Sequence, residues 1–126
     1  MKQQNILSTF KNALSGCVYF FRHERNGKIQ LTAAIIAVSV AAWLNISGAE
    51  WIVILLCISA VFSLEMVNSA IERICDLVHP EFHPLIKIIK DVAAAAVLVA
   101  AIVSTIVGII IFLPKLITLI NGHGHI

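Results

Sequence analysis

The sequence predicts an all-α membrane protein with an N-terminal amphipathic surface helix and three transmembrane helices. Three observations carry that reading. Of 126 residues, 60% are hydrophobic and 13% charged, whereas a soluble domain has about 45–50% apolar and about 25% charged residues. Three long apolar runs recur along the chain, and the mean hydropathy is +0.96. The basic residues gather in two segments, one before the first run and one between the second and third. This composition excludes a soluble enzyme, a disordered chain and a nucleic-acid binder, and its length fits a single domain over residues 1–126.

The first element is a helix over about residues 6–22. At about 100° per residue, Ile6, Leu7, Phe10, Ala13, Leu14, Cys17, Val18 and Phe21 share an arc of about 140°. Lys11, Asn12, Ser15, Tyr19 and Arg22 occupy the rest. Such a helix lies in the membrane interface, packs on the other helices, or does both. A turn is expected at Asn26-Gly27.

The first span covers about 29–47, around the run LTAAIIAVSVAAWLNI. SGAE, residues 47–50, makes a tight connection and sets an antiparallel hairpin. The second helix covers about 51–78, and the third about 90–113, stopping at Pro114. A span needs about 17–25 apolar residues. Trp43 and Trp51 flank the outer connection as interfacial anchors, and Ala93–Ala96 permit close helix contact.

Of nine basic residues, eight (Lys2, Lys11, Arg22, Arg25, Lys28, Arg73, Lys87 and Lys90) fall on one side of three spans, leaving Lys115 on the other. The N-terminus is therefore expected in the cytoplasm and the C-terminus outside. No cleavable signal is expected, because the first apolar run begins near residue 31. Cys17, Cys57 and Cys75 form no C-x-x-C pair and read as reduced packing residues.

The residues that apolar surroundings should exclude are the most informative. Glu65, Asn68, Glu72 and Asp76 share an arc of about 80° on the second helix. Three carboxylates in one stripe repel one another unless a cation or donor array neutralises them. A solvated face and a helix–helix hydrogen bond are the bland readings; divalent cation binding with proton abstraction is the functional one. Glu24 and the pair Lys90-Asp91 lie on the same side, where lysine can meet phosphate as a point charge or serve as a positive-inside anchor. Three spans cannot enclose such a stripe alone, which argues for an oligomer. His79 and His83 each precede a proline, so a helical metal pair is not expected; the tail NGHGHI reads as an unstructured end.

The stretch EMVNSAIERICDLVHPEFHPLIKIIKDVAAAAVLVAA, residues 65–101, resembles the prokaryotic diacylglycerol kinase family, which includes undecaprenol kinases. The pattern is E-x-x-N-[ST]-A-I-E-x-x-x-D, a short loop, then K-D and a small-residue helix. FKNALSGCVYFFRHERNGKIQL, residues 10–31, is similar to the family's N-terminal region, and the likeness covers nearly residues 5–115.

The resemblance implies a multi-pass lipid kinase of the cell inner membrane, forming homotrimers whose active sites are shared between subunits. It would use ATP and Mg²⁺ to convert diacylglycerol to phosphatidic acid, or undecaprenol to undecaprenyl phosphate. Glu65 would be the general base, with Asn68 the polar site residue beside it. Glu24 and Glu72 would hold the metal and, through it, the nucleotide phosphates. Lys90 would contact phosphate and Asp91 the nucleotide. Glu81, Phe82 and His83 match a loop lying against the nucleotide, which the surface helix approaches at Asn12 and Gly16. Ala95 stands where many relatives have Gly, which narrows the space near the helix start. Gln30 stands where the diacylglycerol-phosphorylating branch is acidic and, together with E-R-N at 24–26, leans the family pattern to the undecaprenol branch.

Phosphoryl transfer asks for positioning, a shared cation and a base near the nucleophile. No Walker-type glycine loop is present, so helix-borne side chains and metal would hold the phosphates. The alternative is a non-catalytic nucleotide- or lipid-binding membrane protein of the same fold. An ion or proton carrier is disfavoured, because Ser59 and Ser63 are the only polar side chains from Trp51 to Ser63.

Overall fold

A computed structural model describes residues 5–122, which form four helices: α1 (Ile6–His23), α2 (Arg25–Trp43), α3 (Gly48–Val78) and α4 (Pro84–Gly122). The histidines at 123 and 125 lie outside the described residues. Two helices, α3 with 31 residues and α4 with 39, are long and apolar enough to cross a membrane. At about 1.5 Å per residue both exceed the hydrocarbon thickness of about 30 Å. α2 has 19 residues, with Arg25 and Lys28 in its first turn.

The turn expected at Asn26-Gly27 is absent. A single extended residue, Glu24 (φ −97°, ψ 126°), joins α1 to α2, and both Asn26 and Gly27 are helical. Gly27 serves close approach instead. A Cβ there would stand 2.9 Å from both the Phe20 ring and the Phe20 carbonyl oxygen. Phe20, just outside the apolar arc of α1, is the buried residue of that helix. Phe21 meets Phe62 edge to face at 5.2 Å. The last turns of α1 are thus packed, while Ile6, Leu7, Phe10 and Leu14 remain exposed.

The connection between α2 and α3 falls at residues 44–47, and Gly48–Glu50 already belong to α3. Asn45 takes a left-handed backbone (φ 52°), which asparagine tolerates. Ser47 then caps α3. Its hydroxyl accepts from the Glu50 backbone N–H at 3.2 Å, and its own N–H donates to Glu50 Oε1 at 3.1 Å. This reciprocal box moves the helix start ahead of the expected residue 51.

α4 begins at Pro84, six residues before the expected start, because proline suits a first helical position and His83 caps the end. The His83 Nδ1 accepts from the Leu85 backbone N–H at 3.1 Å. Nor does α4 stop at Pro114. Ile111 and Phe112 pack against α3, and Lys115 reaches Glu50 at 3.2 Å. Those contacts hold the chain in register across the backbone bond that proline removes.

The apolar core lies at the end where α2 turns into α3, where Ala41, Ile46, Ile54 and Ile111 are buried together. Trp51 packs against that cluster, so of the two tryptophans only Trp43 stands exposed. α3 packs most extensively on α4 and less on α2. Leu98, Val99, Ile102, Val103, Ile106 and Ile110 of α4 face outward, an apolar surface suited to lipid or another helix and not to water. The three cysteines are unpaired.

Candidate active site

The buried face of α3 changes character along its length. Ile54 and Val61 occupy it in the N-terminal half; Glu65, Asn68 and Cys75 continue it towards the other end. The same helical pitch that seats the core therefore carries a carboxylate and an amide inward. Glu65 and Asn68 are each 5% exposed, the two buried polar residues among those described. Glu65 Oε2 and Asn68 Oδ1 have no hydrogen-bond partner. Asn68 Nδ2 donates to Glu72 Oε1 at 3.5 Å, a long bond within the stripe.

Unpaired buried acceptors are costly, typically about 1–3 kcal/mol each. A solvated face does not account for Glu65 and Asn68. Glu72 and Asp76 are exposed, so that reading holds for the last turns of the stripe.

Around this pair the structure brings the other charges to one end. Arg73 of α3 donates from Nε to Glu24 Oε1 at 3.0 Å and makes a second, shorter contact through Nη2. Its guanidinium lies 5.1 Å from the centre of the Tyr19 ring, which stacks on His23 at 4.4 Å. The Glu24 corner between α1 and α2 is thereby fixed to α3 one residue beyond Glu72. Lys90 of α4 pairs with Asp76 of α3, and Asp91 pairs with Lys87 on its own helix.

Two clefts open here. The first, about 250 Å³, is lined by Asp76, His79, Glu81, Phe82, His83, Lys90 and Asp91 among others. It gathers the expected loop residues with the expected lysine and aspartate. His79 Nδ1 donates to the Glu81 carbonyl at 2.9 Å and shapes the loop. The second cleft, about 440 Å³, runs between α1 and α3, bordered by Gly16, Phe20, Glu24, Met66 and Arg73. Asn12 is exposed on α1.

Among the described residues no three His, Cys, Asp or Glu side chains gather as a metal cluster. Mg²⁺ is ordinarily held by one or two carboxylates plus substrate phosphates. Glu24 and Glu72 offer hard oxygen donors of that kind, and Glu72 is tied through Asn68 to the buried stretch of α3.

Arg73 is the residue that sequence reasoning missed. It sits at the edge of the carboxylate stripe, but its partner is 49 positions away, and no spacing rule connects them. Phe20 and Gly27 were hidden likewise, since each is explained only by the other.

The sequence pattern of the family described as Prokaryotic diacylglycerol kinase matches residues 11–112. An undecaprenol kinase of Bacillus subtilis (strain 168) is 43% identical over 108 residues, which is 86% of this chain and 88% of that protein. A diacylglycerol kinase of Synechocystis is 38% identical over 116 residues, 91% of this chain and 66% of that protein. The diacylglycerol kinase of Escherichia coli (strain K12) is 36% identical over 74 residues, 59% of this chain and 61% of that one.

Proposed function

Because the chain belongs to the prokaryotic diacylglycerol kinase family, we propose that it is a membrane lipid kinase moving the γ-phosphoryl group of ATP to a lipid hydroxyl. The observation that carries the assignment is the buried pair Glu65 and Asn68, whose oxygens Oε2 and Oδ1 lack partners. A substrate hydroxyl supplies the missing donor.

Glu65 accepts the hydroxyl proton as the oxygen attacks the γ-phosphorus and the bond to the leaving ADP breaks. The products are ADP and a lipid phosphate, with the proton left on Glu65. A base of this kind contributes about 10²–10⁴-fold. Asn68 orients Glu72 through its amide. Glu24 and Glu72 would hold Mg²⁺, which when bound supplies charge neutralisation on the phosphate oxygens. Lys90 brings a point charge to phosphate once it exchanges Asp76. Asp91, Glu81, Phe82 and His83 line the cleft for the nucleotide, and Asn12 and Gly16 present α1 to it.

α2 serves as the third span, with the basic N-terminal side in the cytoplasm, the C-terminus outside, and the protein in the cell inner membrane. A homotrimer is supported by the outward apolar face of α4 and by Glu72 and Asp76, the part of the polar stripe that one subunit leaves exposed. Undecaprenol is the favoured acceptor over diacylglycerol. The 43% identity to an undecaprenol kinase across most of both chains supports it, as does the neutral Gln30 at the apolar cleft between α2, α3 and α4.

The test is phosphate transfer from labelled ATP by the purified protein in mixed micelles, offered undecaprenol and diacylglycerol side by side. Wild type and Glu65→Gln are compared with and without Mg²⁺. Labelled lipid that requires both Glu65 and Mg²⁺ is expected, with undecaprenol preferred. A folded oligomer that labels neither lipid would sink the kinase reading.

A further inference from the structure

The Glu24 carboxylate, proposed above as a metal ligand, already has a cation. Arg73 donates to its Oε1 from two guanidinium nitrogens, with Nε at 3.0 Å. This cation is resident on the protein and comes from a different helix. We infer that Arg73 is a stand-in for the metal: it occupies Glu24 while the site is empty and must leave that carboxylate for a divalent cation to bind. The inference rests on the reading of Glu24 as a ligand and adds a positioning residue that acts through it.

Three features favour exchange over a permanent brace. The Arg73 side chain is 55% exposed and that of Glu24 23%, so neither is locked away from solvent, and an ion pair at such a surface is weak. A divalent ion competes well against one monovalent guanidinium for a single carboxylate. Arg73 also has a second resting place, since it already lies 5.1 Å from the Tyr19 ring centre, a cation–π contact that survives loss of the carboxylate. Where Arg73 lies, on the turn of α3 that carries Glu72, the released guanidinium remains beside the same site and can meet phosphate oxygens in its planar, forked geometry.

The alternative is that Arg73 aims Glu24 at the metal, as a supporting partner does for many ligands. The two make opposite predictions. Competition means that removing the guanidinium tightens metal binding; support means that removal weakens it.

Tyr19 provides a direct reporter, because it is the sole tyrosine in the chain and Arg73 lies over its ring. Purified full-length protein in micelles, with labelled tyrosine and no nucleotide, is titrated with Mg²⁺ while the ring resonances are followed by NMR. Mn²⁺ affinity is measured in parallel by electron paramagnetic resonance. Wild type, Arg73→Met, Arg73→Lys and Glu24→Gln are compared, each first shown to keep its oligomeric size and thermal transition.

Arg73→Met is expected to bind Mn²⁺ about threefold or more tightly than wild type, with Arg73→Lys between them. The wild-type Tyr19 resonances should move with Mg²⁺ occupancy, and in Glu24→Gln they should not. Unchanged or weaker Mn²⁺ binding by Arg73→Met, with a static Tyr19 signal, overturns the exchange while leaving Glu24 as a ligand. If Glu24→Gln binds Mn²⁺ as well as wild type, the ligand reading of Glu24 fails and the exchange fails with it. Should the Arg73→Met bundle not hold together, Arg73→Lys and the wild-type Tyr19 titration decide the question on their own.

Discussion

The two ends of the bundle use one face of α3 in opposite ways. At the end where α2 turns into α3, Ile54 joins Ala41, Ile46 and Ile111 in a buried apolar cluster, and the polar side chains of Ser47, Glu50 and Lys115 beside it are partnered: Ser47 and Glu50 cap each other and Lys115 reaches Glu50. Three turns further along, the same face buries Glu65 and Asn68 with an acceptor unsatisfied on each. The first end is arranged for stability; the second carries a local cost that stability alone would not retain. Chemistry is the economical explanation of that difference, because a donor arriving with substrate removes the cost.

The sharpest way to break the comparison is Glu65→Gln. It should lower turnover by about 10²-fold or more while leaving the thermal transition unchanged or raised, since a buried carboxylate is replaced by a neutral amide. Lipid phosphorylation and calorimetry on the same sample decide it, and loss of both activity and fold would mean that the Glu65 end is structural after all. Ile54→Ala in the apolar cluster should do the reverse, destabilising by about 2–4 kcal/mol and leaving the turnover of the folded fraction intact. Reversible unfolding in mixed micelles measures it.

Two smaller effects sharpen the boundary between the ends. Gly27→Ala forces a methyl to within 2.9 Å of Phe20, an overpacking that should cost about 1–3 kcal/mol and loosen α1, seen as faster amide exchange in residues 17–23. Ser47→Ala removes one half of the capping box and should cost about 1 kcal/mol with no change in metal dependence. An altered Mg²⁺ requirement in Ser47→Ala would show that the ends are coupled.

Much of this was legible in sequence, for identifiable reasons. Apolar runs declare long helices by composition, and the spacing of Glu65, Asn68 and Glu72 fixes them to one stripe whatever the packing. What spacing could not say is that this stripe continues the core face, since that depends on which side α4 chooses. Boundaries failed where a side chain did something non-local. Glu50 drew the α3 start forward by capping Ser47, and contacts with α3 carried α4 through Pro114. Asn26-Gly27 misled because glycine was read for a turn when its use was to admit a phenyl ring. The Arg73–Glu24 pair lies beyond any local rule.

The single residue joining α1 to α2 gives the molecule a mechanical character as well as a shape. One extended residue holds little slack, so the directions of α1 and α2 are coupled at Glu24. With α2 as the third span proposed above, a thicker or thinner bilayer that tilts it should swing the exposed row from Ile6 to Leu14 as well. Spin labels on α1 in bilayers of differing chain length would follow that swing, and the cleft between α1 and α3 would widen or narrow with it.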